Sequence, residues 1–342
     1  VPDFVTRDRY RHAIEELSRF SSHSELEVAQ RAVLRANRDC NERQESGKIT
    51  EDHRADPGYY LISKGRLAFE REVGFRVPLR NRLIRFYITD AASRYLATIA
   101  LVTSLILGAF VVYSGAPAAG IAGILLMALL GLIPASDLAI ALVNRGVAAL
   151  FKPRTLPKLA LGDGVPAELR TLVVVPTLLT DQSEIAEQVE RLEVHYLANP
   201  EDNLHFALLS DWTDAPQETM PDDDQLLTAA HERIARLNRH YGPASDGNER
   251  FLVLHRRRCW NESEGKWIGW ERKRGKLHEL NRLLRGASDT TFLLTDGKPP
   301  VVPSGIRYVI TLDADTRMPQ GAAARLIATM AHPLNKPRFD PA

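Results

Sequence analysis

Residues 308–319 read YVITLDADTRMP and join a strand pattern to a pair of carboxylates. Residues 309–312 are β-branched or apolar, which predicts a buried strand. Asp313 and Asp315 follow at its carboxyl end, where open α/β sheets keep their binding sites. Two carboxylates one residue apart suit a hard divalent cation that bridges them to phosphate oxygens. Because Asp-x-Asp is a common pattern, the alternative is a pair of solvated turn residues, and other features of the chain must decide.

Upstream of this stretch, apolar runs alternate with segments of helical spacing. The runs that predict buried strands cover residues 172–175 (LVVV), 205–210 (HFALLS), 251–254 (FLVL) and 308–312. The segments that predict helices cover residues 183–197, 223–241 and 276–284. Alternation of this kind predicts an α/β fold with a Rossmann-like parallel sheet.

Two more polar residues follow predicted strands at the same edge of that sheet. Asp211 ends the second strand as Asp313 ends the fourth, and in a nucleotide site it could accept a hydrogen bond from a base or ribose. The alternative is a turn aspartate, since Asp favours turns. Thr177, after the first strand, is a candidate for the wall of a nucleotide pocket. The segment carries no GxGxxG motif, which argues against a dinucleotide cofactor.

Residues 271–284 (ERKRGKLHELNRLL) place a basic cluster at the predicted start of a helix. Lys273, Arg274 and Lys276 surround Gly275 there. Backbone N–H groups and the helix dipole favour an anion at such a position, and a diphosphate would fit. The alternative is a solvated charged face, and the carboxylate pair on the next predicted strand favours the phosphate site.

Three tryptophans, Trp260, Trp267 and Trp270, precede this basic cluster in a predicted loop. A tryptophan in a loop can stack on a sugar ring, but we expect the loop to pack onto the sheet instead.

Residues 95–113 contain no charged residue and come close to the roughly 20 apolar residues that a membrane-spanning helix needs. A turn-like segment leads to a second apolar run at residues 121–135, and residues 138–151 are expected to form an amphipathic helix in the membrane interface. The alternative is a buried soluble hairpin. Basic residues flank the hairpin on both outer sides, which predicts that both flanks are cytoplasmic: Arg80, Arg82, Arg85, Arg94, Arg145, Lys152, Arg154 and Lys158.

The 342 residues allow two or three folding units, and a net charge of +1 gives no electrostatic basis for binding nucleic acid. We expect a helical cytoplasmic region at 1–90, the membrane hairpin and interfacial helix at 91–151, and the α/β domain at 152–342. Cys40 and Cys259 form no CxxC motif, so reduced thiols are expected. The chain lacks a signal-peptide pattern, and its start at Val1 suggests a piece of a longer protein.

Four segments carry a resemblance to a known family: TLVVVPTLL (171–179), LLSDWTDAP (208–216), GKWIGWERKRGKLHELNRLLRG (265–286) and RYVITLDADTRMPQGAAARLIATMAHPLNKPRFD (307–340). Together with the membrane hairpin, they resemble the glycosyltransferase domain of the cyclic β-1,2-glucan synthases. The resemblance implies a multi-pass enzyme of the bacterial inner membrane whose GT-A domain, incomplete here, is cytosolic. Such an enzyme would take UDP-glucose and extend a growing β-1,2-glucan chain with inversion at the anomeric carbon.

The resemblance also implies roles for single residues. Asp313 and Asp315 match the metal-binding DxD pair, which would hold Mg²⁺ or Mn²⁺ on the donor. Donor-site elements are expected at Asp211, Asp313 and the segment Lys273, Arg274, Gly275 and Lys276, with Thr177 in the pocket wall. The general base and the QxxRW motif for the acceptor are expected beyond Ala342, so this fragment alone is expected to be inactive. The expected partners are UDP-glucose, the glucan and the lipid bilayer, with no nucleic acid.

Two other classes of protein are compatible with parts of the pattern. Asp-nucleophile phosphatases also place a DxD after a strand, but they need Thr or Val where this chain has Arg317 and usually open their domain with that strand. A membrane-anchored nucleotide-binding or scaffold module without catalysis is the second alternative.

Overall fold

A computed structural model describes residues 1–45, 53–114, 120–151, 153–294 and 298–337 of the chain. It divides into two compact units, one formed by Val1–Asp8 with Pro157–Ala342 and the other by Arg9–Leu156. The first residues join the carboxyl-terminal unit through backbone hydrogen bonds, from Asp3 N to Lys158 O (2.9 Å) and from Ala160 N to Val1 O (2.8 Å). The domain boundaries expected near residues 90 and 151 remain predictions.

The unit Arg9–Leu156 is helical where it is described. Its helices are α1 (Phe4–Arg19, which begins in the other unit), α2 (Glu25–Glu45), α3 (Gly58–Ile62), α4 (Arg66–Glu72), α5 (Leu79–Thr89), α6 (Ala91–Tyr113) and α7 (Gly120–Leu150). A small core joins the first four, with Leu17, Val28 and Phe69 almost fully buried. Helices α6 and α7 are long and apolar enough to cross a membrane, by length and composition.

Helix α7 is continuous, which corrects the expectation of a separate interfacial helix at residues 138–151. Pro134 lies inside this helix. The buried residues of α7 are small and four apart on both sides of the proline, namely Gly131, Ala135, Ala139 and Val143. A Cβ at Gly131 would lie 2.7 Å from Phe110 of α6, so the helices approach closely. We infer that the close packing of these residues against α6 keeps the helix continuous at Pro134, since proline is tolerated in apolar helices with close neighbours.

The unit formed by Val1–Asp8 and Pro157–Ala342 contains six described strands and four described α-helices of its own. In chain order they are β1 (Thr171–Leu179), α8 (Gln182–Ala198), β2 (Leu204–Trp212), α9 (Asp223–Tyr241), β3 (Phe251–Arg256), β4 (Cys259–Asn261), β5 (Lys266–Ile268), α10 (Arg272–Leu284), β6 (Tyr308–Thr311) and α11 (Ala322–Ala331). Strands β4 and β5 form an antiparallel hairpin. The predicted elements are all present, and β1, β2 and β3 extend further towards their carboxyl ends than expected.

The main sheet has the order β3-β2-β1-β6, and all of its neighbouring strands are parallel. Alternate residues of β1 enter two separate cores, with Val173 and Val175 on one face and Leu172 and Val174 on the other. Both faces are therefore covered, as parallel sheets require. Strands β2 and β6 lie on opposite sides of β1, so the strand order reverses between β1 and β6. Parallel sheets open a ligand-binding crevice at the carboxyl ends of the strands at such a point. The expected α/β fold with a parallel sheet is confirmed.

A buried carboxylate organises the helical unit. Glu70 of α4 accepts hydrogen bonds from Arg66 Nε (2.8 Å) and from both terminal nitrogens of Arg85 (2.8 and 2.7 Å). Arg66 also bonds Glu16 of α1 at 2.9 Å. Burial acts to raise the pKa of Glu70, but the hydrogen bonds from Arg85 and Arg66 outweigh it, and the pKa is lowered from its ordinary value. The ionised carboxylate thus links α4 to α5, and Arg66 connects it to Glu16 of α1.

Replacing Glu70 by Gln is expected to lower the free energy of unfolding at pH 7 by roughly 2 to 3 kcal/mol, because Arg85 and Arg66 both lose a charged hydrogen-bond acceptor, although Arg66 keeps Glu16. A folded pKa below the unfolded value of about 4.3 means that the stabilisation is complete above that pH and is lost as the pH falls through the folded pKa. Unfolding of the chain in detergent between pH 7 and pH 3 should show this loss in the original protein and not in Glu70→Gln.

The matched control is Glu15→Gln, because Glu15 forms an exposed pair with Arg19 on one helix. Such a pair contributes only about 0.5 kcal/mol. Equal stability of the Glu70 and Glu15 variants would contradict the assigned role of Glu70.

Candidate functional site

Asp313 and Asp315 lie at the carboxyl edge of the sheet, directly after β6. Leu312 still pairs with the sheet through its N–H to Val174 O of β1 (2.9 Å), and the chain then turns, with Thr316 N bonded to Asp313 O at 2.9 Å. The Asp313 side chain is 60% exposed, and Asp315 is exposed as well. The carboxylate pair therefore sits beside the end of β1, at the point where the strand order reverses.

The loop that carries the two carboxylates is fixed by side-chain hydrogen bonds and by a buried methionine. Arg191 of α8 donates from Nη1 to Ala314 O at 2.5 Å, between the two aspartates. Asn199, at the end of α8, is buried and accepts from Ala323 N (2.9 Å) while its amide donates to Pro319 O (3.4 Å). Met318 is buried in the core. A fixed loop with two exposed carboxylates is suited to holding a ligand in a defined position.

The basic start of α10 meets this loop. Lys273 Nζ bonds Asp313 Oδ1, so an ammonium group lies against one carboxylate of the pair. Arg274, the next residue, is exposed. The two features that were predicted from separate segments are therefore adjacent at one edge of the sheet. Opposite charges side by side, both open to solvent, suit a ligand that combines a cation with an anion.

Lys276 is buried, unlike Lys273 and Arg274, and its expected role towards a diphosphate remains a prediction. It is only 3% exposed, and its Nζ donates to Thr177 O at 2.7 Å and lies 3.2 Å from Asp211 Oδ2. Burial lowers the pKa of this lysine from its ordinary value, while Asp211 acts in the opposite direction. Thr177 is also buried and contributes its carbonyl oxygen. In this structure both residues hold the strand ends together.

Asp211 is sealed from solvent by a buried arginine that the sequence analysis did not single out. Arg256, at the end of β3, donates from Nε to Asp211 Oδ1 (2.7 Å) and from Nη2 to Asp211 Oδ2 (3.0 Å). Its Nη1 donates to Glu279 of α10 at 2.9 Å. Together with Lys276, these residues form one buried group of two positive and two negative side chains. Each buried charge thus has a partner of opposite sign, which offsets the cost of its burial. The expected role of Asp211 towards a base or ribose remains a prediction.

The same arginine holds the turn that begins α10. Glu271 and Arg272 both have left-handed backbone conformations, with φ values of 51° and 45°, which residues other than glycine rarely adopt. Arg256 Nη2 donates hydrogen bonds to the carbonyl oxygens on either side of Glu271, namely Trp270 O (3.1 Å) and Arg272 O (3.2 Å). Gly275 is required here, since a Cβ would lie 1.9 Å from Trp270 O. This turn sets the position of Lys273.

His255 lies next to the buried charges and remains neutral. Its Nδ1 is hydrogen-bonded to Ser210 Oγ at 2.8 Å, and its ring packs on Trp212. Burial, with smaller contributions from Lys276 and Arg258, lowers its pKa to about 3. Because the imidazole carries no charge at neutral pH, it does not disturb the balance of the buried group.

The residues at this edge are compatible with a divalent cation of the Mg²⁺ type. Among the residues that the structure describes, no group of three or more His, Cys, Asp and Glu side chains could hold a metal. Mg²⁺ commonly uses one or two carboxylates and completes its shell with water and phosphate oxygens. Asp313 already pairs with a positive charge of the protein itself, the ammonium group of Lys273. The pair thus fits a metal that arrives with a phosphorylated ligand.

Replacing Asp211 by Asn is expected to lower the free energy of unfolding by roughly 3 to 5 kcal/mol, because the buried group of Arg256, Lys276 and Glu279 would keep one uncompensated positive charge. Asp214→Asn is the matched control, since Asp214 pairs with Arg272 at the surface, where such a pair contributes about 1 kcal/mol or less. Denaturant unfolding of both variants in detergent checks this. If Asp211→Asn were as stable as the control, the structural role of Asp211 would be wrong.

No family model matches the chain. The chain is 42% identical over 346 aligned residues to the cyclic beta-(1,2)-glucan synthase NdvB of Rhizobium meliloti, an alignment that covers 99% of this chain. It spans only 12% of the length of that relative. The resemblance indicated by the sequence motifs is thereby confirmed: along nearly its whole length, the chain is similar to one part of a cyclic beta-(1,2)-glucan synthase.

Proposed function

We propose that the full-length protein is a membrane-bound glucosyltransferase that uses UDP-glucose to build β-1,2-linked glucan with inversion at the anomeric carbon. The observation that carries this proposal is the meeting of Asp313, Asp315 and Lys273 at the carboxyl edge of the sheet, in a chain similar to a glucan synthase. Because the chain spans 12% of that relative, the reaction is proposed for the whole protein and not for this part alone.

In this proposal the sheet is the donor-binding half of a GT-A fold. Lys273 and Arg274 face the diphosphate of the donor at the start of α10, where the helix dipole adds to their charge. Asp313 and Asp315 would hold Mg²⁺ or Mn²⁺, which neutralises the charge that develops on the departing UDP. Asp211, Lys276 and Gly275 contribute by keeping the turn before Lys273 in place, with Thr177 at the wall of the crevice.

The membrane part of the proposal rests on α6 and α7. Two apolar helices of 23 and 31 residues are long enough to cross a bilayer. The excess of Lys and Arg on the outer flanks of this pair favours a cytoplasmic position for both flanks. We propose a multi-pass protein of the bacterial inner membrane whose sheet domain faces the cytosol.

A membrane-anchored nucleotide-binding module without catalysis is the second candidate. It is favoured by the burial of Asp211 and Lys276, which leaves Asp313, Asp315 and the exposed basic residues to bind a ligand. Such a module would bind UDP without transferring glucose. The phosphatase alternative is less compatible with the fold, since the carboxylates follow β6, the last of the described strands, and Arg317 holds the position that would need Thr or Val.

Replacing Asp313 and Asp315 together by Asn in the full-length protein is expected to abolish glucose transfer, with a loss of roughly 100-fold or more, because the metal would lose its protein ligands. Transfer is measured as labelled glucan formed from UDP-glucose by isolated membranes, and membrane insertion should be unchanged. Asp289→Asn serves as control, since Asp289 is an exposed surface partner of Arg282. Glucose transfer retained by the double variant would contradict the assignment of Asp313 and Asp315 as metal ligands.

Replacing Lys273 by Met is expected to raise KM for UDP-glucose by roughly tenfold, about 1.4 kcal/mol, because a charged contact to the diphosphate is lost. Lys273→Arg should restore most of the affinity. Steady-state kinetics at saturating metal checks this. An unchanged KM in Lys273→Met would mean that Lys273 pairs with Asp313 but does not contact the donor diphosphate.

A further inference from the structure

A groove of about 480 Å³ lies along the β4–β5 hairpin and the turn before α10. Its lining includes Trp260 and Trp270, the carboxylates Glu262, Glu264 and Glu271, and Arg272. No side chain among them is assigned to the donor site proposed above, although the backbone of residues 270–272 forms the turn before Lys273. The groove is therefore a second surface of the same unit, next to the start of α10.

Both tryptophans that line the groove are largely exposed. Trp260 is 51% exposed and Trp270 44%, although Trp has the largest apolar surface of any side chain. Trp267 has the structural role in the hairpin, because its backbone exchanges two hydrogen bonds with Ala215 (2.9 and 3.0 Å). It also supports Trp260, with ring centres 5.9 Å apart. The hairpin thus presents Trp260 on a fixed base.

The charges of the groove determine which kind of ligand it suits. Three glutamates and one arginine line it, so it is unfavourable for the negative diphosphate of a nucleotide sugar. Arg272 is fixed between Asp214 (3.0 Å) and Glu264 (2.6 Å). Aromatic faces beside carboxylates and a guanidinium suit a neutral, hydroxyl-rich molecule, whose C–H faces stack on the rings and whose hydroxyl groups donate to the carboxylates.

We propose that this groove binds glucose residues of the growing glucan chain, an inference that rests on the proposed function. Arg272 lines the groove, and the next residue in the chain, Lys273, bonds Asp313 of the donor site. A glucan held on Trp260 and Trp270 therefore lies beside the position proposed for the donor. The basic side of the α10 turn receives the charged donor, and the acidic aromatic side receives the neutral acceptor.

The test is a calorimetric titration of a linear β-1,2-linked glucose pentasaccharide into the 342-residue chain in detergent. Replacing both Trp260 and Trp270 by Ala is expected to weaken binding roughly tenfold or more, because two stacking contacts are lost. Replacing both by Phe should restore part of the affinity. Leu326→Ala is the control, since Leu326 is an apolar side chain 50% exposed on α11, outside the groove. UDP binding with Mg²⁺ and the unfolding temperature are measured for every variant.

The outcomes separate the groove from the donor site. Weaker pentasaccharide binding in the double alanine variant, with unchanged UDP binding, supports the groove. Weaker pentasaccharide binding in a chain whose original form binds no UDP supports the groove and contradicts the donor site. Unchanged pentasaccharide affinity in the alanine variant, or no binding by the original chain, overturns the groove assignment. If the alanine variant does not fold, the phenylalanine variant must still bind more weakly than the original.

Discussion

The candidate site depends on the hydrogen bonds of the Arg256 guanidinium group. This group is fully buried, so each of its hydrogen-bonding groups has to find a partner inside the protein. The partners are Asp211 on the neighbouring strand, Glu279 on α10 and the two carbonyls of the strained turn at Trp270 and Arg272. Glu279 in turn accepts a hydrogen bond from Thr291 N at 3.1 Å. One side chain thereby fixes the turn, the helix and the following loop to the sheet.

The acidic residues at this edge divide into two kinds according to their burial. Asp211 is 2% exposed and fully used by Arg256 and Lys276, whereas the Asp313 side chain is 60% exposed and Asp315 is exposed too. A buried carboxylate paired in this way contributes rigidity, since removing it leaves a charge without a partner. An exposed carboxylate on a fixed loop can exchange its partner for a ligand. The buried pairings therefore provide the framework, and the exposed residues provide the binding groups.

Much of the fold could be predicted because it depends on local patterns. The apolar runs of β1, β2 and β3 and the periodicity of α8 and α9 are properties of short segments, and the order of strands and helices follows from them. The spacing of the small residues in α7 is also visible in the sequence, but a proline within such a segment usually ends a helix. The four-residue spacing, which continues past the proline, is the signal that would have predicted one helix.

The pairings of the site could not be predicted in the same way. Arg256 lies in a run of three arginines, which in sequence is indistinguishable from a solvated charged segment. Its burial depends on Asp211 and Glu279, which are 45 and 23 residues away in the chain. The same applies to Lys276, whose partner Thr177 is 99 residues away. That the basic start of α10 and Asp313 lie at the same edge, in contrast, follows from the topology, because a parallel sheet brings the carboxyl ends of its strands to one edge.

The central claim is that the exposed carboxylate pair and the basic start of α10 act together on a diphosphate. The most direct measurement is a calorimetric titration of UDP into the 342-residue chain in detergent, with Mg²⁺ or Mn²⁺ and with a chelator in their place. The account predicts binding that requires the divalent cation. Equal binding in the presence of the chelator, or no binding under either condition, would contradict it.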